Sequence, residues 1–220
     1  MKKTIKKVIP LLLWLLLATS GGCMDAYSYL FRDQVFANAQ TGNILLLGVN
    51  LSTGNFKLCS RYLCPIVAFV LGIMLAYLIC RLSGTHKRVA KLLVVGGEIA
   101  VLFAVAFMPQ EMNIIANAMI SLACGMQLEC FGEFMGRRAA TTMCIGNLRS
   151  AVHHAMEYAF GCDKVQRNSA IFFVVTILFF TLGAVIGNVF VINLGTYAIW
   201  GSCAILLVCL ALITIRSEAE

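Results

Sequence analysis

A chain of 220 residues of which 60% are hydrophobic and only 12% charged departs far from the roughly 45–50% and 25% of soluble domains, and no water-soluble core of this size absorbs so much apolar surface. The formal net charge of +7 does not point to nucleic acid, because Lys and Arg stand in short segments beside apolar runs rather than on one basic face. Ten cysteines are scattered with no CxxC pair and no His at zinc spacing, which argues against a disulfide framework or a zinc module and leaves them as small buried hydrophobes.

In chain order, the first apolar run covers 8–31. Lys2, Lys3, Lys6 and Lys7 in front of it, and Ala18-Thr19-Ser20 within it, resemble a cleaved leader. The apolar character continues past Gly21-Gly22 to Phe31, however, and Ser20 stands where a lipoprotein site at Cys23 would carry an aliphatic residue. A retained first helix is expected. Next come Phe36-Ala37-Asn38-Ala39-Gln40-Thr41-Gly42-Asn43 and a short apolar helix from Ile44 to about Leu51, then long apolar runs over 62–80 and 92–108. After Pro109 a run over 112–132 leads to Thr141-Thr142-Met143-Cys144-Ile145-Gly146-Asn147, a polar helical stretch to about Phe160, and runs over 169–192 and 195–215. At ~1.5 Å per residue, six such runs have the length that ~30 Å of hydrocarbon demands.

The order of phrases repeats. Gly22-Cys23-Met24-Asp25 answers Gly125-Met126-Gln127-Leu128, Thr41-Gly42-Asn43 answers Ile145-Gly146-Asn147, and Phe69-Val70-Leu71-Gly72 answers Phe180-Thr181-Leu182-Gly183, with glycine offsets of 103, 104 and 111 residues. This predicts a duplication inside one membrane domain spanning 1–220, with repeats at about 8–108 and 112–216. If both short segments dip into the bilayer and return, Lys2, Lys3, Lys6, Lys7, Arg81, Lys87, Arg88, Lys91, Arg137, Arg138, Arg149, Lys164, Arg167 and Arg216 share one side, fourteen of the seventeen basic residues. Loops rich in Lys and Arg stay cytoplasmic, so the expectation is an inner-membrane protein with both termini cytoplasmic. Its fold would be all-α, with six transmembrane helices and two re-entrant half-helices in a 3+3 inverted repeat.

A re-entrant helix leaves its N-terminus, with roughly half a positive charge on free N–H groups, near mid-membrane. Two such ends meeting across an inverted repeat suit an anionic or strongly polar solute. Asn38, Thr41, Gly42 and Asn43 would line that site with Thr142, Gly146 and Asn147, and Arg149 would add charge. Asp25, late in the first helix, reads as a substrate or proton-coupling group, or else as a capping carboxylate paired with Arg32; ionisable groups at depth are costly and face cavities or partners. Glu98, alone in an apolar helix, and Glu129 are coupling candidates, with Glu129 and Glu133 expected on one helical face four residues apart. His153 and Glu157 are too few for a metal site. No phosphate-cradling loop and no nucleophile elbow is present, so neither a cofactor nor catalysis is expected.

Gly22-Cys23-Met24-Asp25-Ala26, Phe36, Asn38 through Asn43, Phe69-x-Leu71-Gly72, Glu98, Gly125-Met126-Gln127, Thr141-Thr142, Gly146-Asn147 and Phe180-x-Leu182-Gly183 together resemble the YoaK family of bacterial membrane proteins. The likeness runs from about 15 to 215 and is most specific between Asp25 and Asn43. It departs at Ile145, where Thr more often precedes Gly, and at Leu128, where Asn is usual. The resemblance implies a membrane location and no particular activity. The functional expectation is a transporter of a small anionic or polar solute, with a passive channel or a non-transporting partner subunit as alternatives. The bilayer and the solute are its expected partners, with a homo-oligomer open.

Overall fold

The computed structural model describes residues 2–134 and 136–218. Among them the chain forms eight α-helices, so the all-α expectation holds. They are α1 (Lys2–Phe31), α2 (Gln40–Ser52), α3 (Phe56–Leu82), α4 (Lys87–Val105), α5 (Asn113–Cys130), α6 (Cys144–Gly161), α7 (Lys164–Leu194) and α8 (Trp200–Glu218). Single 3₁₀ turns precede α5 and α8. The boundaries move by a few residues from those read in the sequence, mainly because polar first turns, such as Lys87–Lys91 and Lys164–Ser169, extend the apolar runs.

Among the described residues three stretches have the length and apolarity to cross a membrane: Val8–Phe31, Phe56–Leu82 and Lys164–Ile215, the last joining α7 and α8. Large apolar side chains cover the outside of the bundle, with Leu63, Val67, Val70, Leu71, Met74 and Leu78 of α3 all exposed. An apolar surface this continuous suits lipid rather than water. The interior is built around α1, whose Leu13, Trp14, Leu17, Ala18, Met24 and Tyr27 are buried against α7 and α8. The first apolar run is thus an integral part of the core.

Two helix crossings depend on missing side chains. A Cβ on Gly72 of α3 would run into the Leu122 carbonyl of α5, and one on Gly125 of α5 into the Phe69 carbonyl of α3. In the same way Gly22 of α1 meets the Phe180 carbonyl and Gly183 of α7 meets the Thr19 carbonyl. Small residues let helix backbones touch where lipid gives no hydrophobic drive to associate, and Cα–H groups then contact carbonyl oxygens.

The expected helix over 112–132 ends earlier, at Cys130, and Glu133 lies in a two-stranded ribbon instead. Glu133–Phe134 (β1) pairs with Arg137–Arg138 (β2), turning at Gly136 with φ 78°. Glu129 and Glu133 therefore do not share a helical face: Phe131, at φ −120°, leaves the helix. Phe134 and Phe172 pack on the buried Trp14 ring at 5.2 and 5.7 Å, and Trp14 Nε1 donates to Thr176 Oγ1 at 3.1 Å. The ribbon is thereby fixed on α1 and α7.

Arg32, named in the sequence as the alternative partner of Asp25, is fully buried. Its guanidinium donates to the carbonyls of Val105, Met108 and Pro109, to Asn113 Oδ1, to Thr196 Oγ1 and to the Tyr27 hydroxyl, at 2.9 to 3.3 Å. These acceptors come from α1, the carboxyl end of α4, the start of α5 and the turn before α8. The cation sits at the carboxyl end of helix α4, the negative end of its dipole. Asp25 is not its partner; the ion pair at this end is Arg61 with Asp33, at 3.5 Å and partly exposed.

Two outcomes follow. Gly72→Val or Gly183→Val should cost about 3 kcal/mol, lowering the unfolding midpoint in detergent by about 6–12 °C at this size, while Gly48→Ala, with nothing near its Cβ, should leave it unchanged. Arg32→Lys keeps the charge but not the fork of donors, and should lower the midpoint at least as far; a wild-type midpoint would contradict the role given to the guanidinium.

Candidate functional site

Two interruptions of helix lie inside this bundle, at 32–39 and 131–143. In the first, Asp33 and Gln34 adopt positive φ of 65° and 57° and turn the chain back from the end of α1. The segment then runs back along α1 toward α2. Its backbone groups need partners, because an unpaired N–H or C=O at this depth is costly. Asp25 Oδ1 accepts the Asn38 N–H at 2.8 Å, Ser28 Oγ accepts the Ala37 N–H at 3.1 Å, and Gln40 Nε2 donates to the Ala37 carbonyl at 2.8 Å. Asn43, in the first turn of α2, closes on Phe36 from both ends of its amide: Oδ1 accepts the Phe36 N–H at 3.1 Å and Nδ2 donates to the Phe36 carbonyl at 2.7 Å.

The second interruption repeats the device. Asn147, in the first turn of α6, accepts the Ala140 N–H at 3.4 Å and donates to the Ala140 carbonyl at 2.7 Å. Each asparagine thus reaches back seven residues. Where the first loop has Asp25, the second has Gln127, whose Nε2 donates to Thr141 Oγ1 at 2.7 Å and to the Leu17 carbonyl at 3.3 Å.

Both loops arrive at Gly21 of α1. Asn38 Nδ2 donates to the Gly21 carbonyl at 3.2 Å, and a Cβ at Gly21 would stand 2.8 Å from the Thr142 methyl. Only a glycine allows the second loop tip so close to α1.

A cavity of about 1200 Å³ opens on the far side of the second loop, lined by Lys87 and Lys91 of α4, Glu129 of α5, Glu133 and Arg138 of the ribbon, and Arg149, His153 and His154 of α6. Its floor is Ala140, Met143, Gly146 and Asn147, so it reaches the start of α6, which no side chain caps. Lys and Arg outnumber carboxylates along its wall, four to two.

The residues singled out in the sequence divide into three places. Asp25, Asn38 and Thr142 lie at the seam where the loops meet. Gly146, Asn147, Arg149 and Glu129 line the open cavity. Thr41 is exposed, Gly42 lies under the Phe36 ring at 2.8 Å from its would-be Cβ, and Asn43 spends its whole amide on Phe36 and Gln40. The asparagines thus shape the loops. Glu98 is fully buried in α4, and neither carboxylate oxygen has a hydrogen-bond partner. Among the described residues no three His, Cys, Asp or Glu side chains gather as a metal cage. Gly21, Ser28 and Gln127 went unselected in the sequence. When the two glycine phrases are aligned Gln127 stands opposite Met24 and not Asp25, and nothing in the residues around Gly21 or Ser28 marks them either.

Replacing Asn43 or Asn147 by Leu strands a backbone N–H and C=O together, at about 1–3 kcal/mol for each group. Each variant should melt several degrees below wild type in a detergent unfolding assay. Asn43→Asp, which keeps the acceptor and loses the donor, should fall between, and equal midpoints for all three would contradict the clamp.

The profile of a family described as a protein of unknown function, DUF1275, matches residues 13–212. No curated protein and no solved structure matches the chain. The matched span takes in both loops, both asparagine clamps and the four crossing glycines, and the chain belongs to the DUF1275 family.

Proposed function

We propose that this chain is an inner-membrane transporter of a small anionic or polar solute, built as a 3+3 inverted repeat of six crossings and two re-entrant helices, α2 and α6. Its paired glycine and asparagine phrases resemble those of the YoaK family, a reading consistent with membership of DUF1275. The carrying observation is the cavity, open at one end of the bundle, which ends on the uncapped start of α6. A helix N-terminus with Arg149 close by attracts negative or strongly polar groups.

Several contacts support the repeat. Helix α1 crosses α7 as α5 crosses α3, glycine for glycine, and the two asparagine clamps have the same sevenfold reach. The re-entrant path is supported by the first loop, which starts beside Arg61 at Asp33, goes in to Gly21 and returns through α2 to the start of α3. The end gathered by Arg32 then lies opposite the end with Lys87, Lys91, Arg138 and Arg149. The basic end is cytoplasmic by the charge rule, and both termini share it.

In this reading the solute enters the cytoplasmic cavity, meets the α6 N-terminus and Arg149, and passes the seam of Asn38 and Thr142 beside Asp25. The Arg32 cluster closes the opposite end. Glu98, unpaired in the core, and Glu129, on the cavity wall, are the groups for proton coupling. A passive channel would use the same path without a coupled carboxylate.

The test is uptake by proteoliposomes of a panel of labelled small anions and neutral polar solutes, with and without a proton gradient. At least one solute should accumulate above equilibrium, and Arg149→Glu should cut its rate about tenfold with the fold intact. Entry that only equilibrates would select the channel. No entry of any solute, together with stoichiometric copurification of a second membrane protein, would replace transport by a partner-subunit role.

A further inference from the structure

The seam holds polar atoms that none of the described residues satisfies. Asn38 Oδ1, Gln127 Oε1 and Thr142 Oγ1 are buried with no hydrogen-bond partner, as is Ser20 Oγ on the residue beside Gly21. Buried polar atoms are nearly always met by protein or by an ordered guest, and a cluster of them at the meeting point of two loops is not accounted for by packing.

Their chemistry is fixed by what the other ends of the same side chains do. Asn38 gives its Nδ2 to the Gly21 carbonyl, and Gln127 gives its Nε2 to Leu17 O and Thr141 Oγ1. Turning either amide over would set oxygen against a carbonyl oxygen, so the unmet atoms are acceptors. Leu17 and Gly21 are one turn apart on α1, which stacks the two amides along the same helix. Asp25, the next residue down that line, turns a carboxylate oxygen to the Asn38 N–H and adds negative charge. A guest here must donate hydrogen bonds to two carbonyl oxygens, with the Thr142 hydroxyl free to give or accept. A bare anion meets only repulsion from them.

We propose that the seam between Asn38, Gln127 and Thr142 is a binding site for one small uncharged hydrogen-bond donor, from water to a molecule the size of urea. This rests on the route proposed above and narrows its solute from anionic or polar to polar and uncharged. The basic cavity keeps cations from the mouth, and the seam selects among the remaining solutes by donors.

Radiolytic hydroxyl labelling of the full chain in lipid nanodiscs reads the site without requiring flux, because it marks side chains that touch a bound water. Cys124, beside Asn38, and Met24, 3.8 Å from the Cys124 sulfur, are buried reporters, and buried Cys59 in α3 is the control. Cys124 and Met24 should label about tenfold faster than Cys59. The rate should fall to the Cys59 level in the near-isosteric Thr142→Val plus Gln127→Met variant and persist in Thr142→Ser, which keeps the hydroxyl should the double variant fold poorly. Wild-type labelling no faster than Cys59 would overturn the site. Proteoliposome flux of urea against nitrate, two planar molecules of similar size, tests the selectivity. Urea passing at least tenfold faster supports the proposal, and nitrate keeping pace overturns it. Labelled reporters with neither probe moving would uphold the site and remove the transport reading alone.

Discussion

In hydrocarbon a backbone N–H or C=O without a partner has no water to turn to, so a helix may be interrupted only where the protein answers every group it frees. This chain interrupts its helices twice inside the bundle, and the rest of the architecture follows from how those groups are answered. Asn43 and Asn147 each close on a residue seven back through both ends of one amide. Asp25 and Ser28 hold the first loop tip to α1, and Gln127 of α5 holds the second at Thr141 while bonding the Leu17 carbonyl of α1. Because the clamps sit in the first turns of α2 and α6, they also fix where those helices begin and hence where their positive ends point.

The close crossings serve the same end. Gly22, Gly72, Gly125 and Gly183 remove the side chains that would hold α1 from α7 and α3 from α5. With those backbones in contact, Gly21 and the two loop tips occupy one plane of the bundle, and Thr142 can lie against α1. At the far end the buried guanidinium of Arg32 ties together the segments that lead out of α4 and into α5 and α8. One end of the molecule is therefore closed by a dense polar cluster, while the other opens into a basic cavity.

Much of this was legible in the residues. The apolar runs announced the long helices, and the recurrence of Thr-Gly-Asn and Ile-Gly-Asn pointed to the two loops. The glycines of Phe-x-Leu-Gly and of the Gly22 and Gly125 phrases proved to be crossing points because only close backbone approach explains a spaced glycine in an apolar helix. Roles set by long-range contact were not legible. Arg32 looks like a loop charge until Pro109, Asn113 and Thr196, far along the chain, converge on it. Asn43 looks like a solute ligand until Phe36 claims its amide. Glu133 looks helical because it follows Glu129 by four, and only Phe131 with the Gly136 turn shows the helix stopping short. Gln127 does the second loop's work from a position one residue away from that of Asp25 in the repeat, so alignment of the two halves does not single it out.

The central claim is that the two loop tips meet at one point of α1 in the middle of the bundle. Cross-linking in native membranes addresses it most directly: Asn38→Cys with Thr142→Cys in a chain otherwise free of cysteine, treated with a two-carbon bifunctional thiol reagent. The account predicts efficient intramolecular cross-linking of this pair, and none when Asn38→Cys is combined with Ser150→Cys, two turns along α6. Failure of the first pair to join, or equal joining of both, would contradict it.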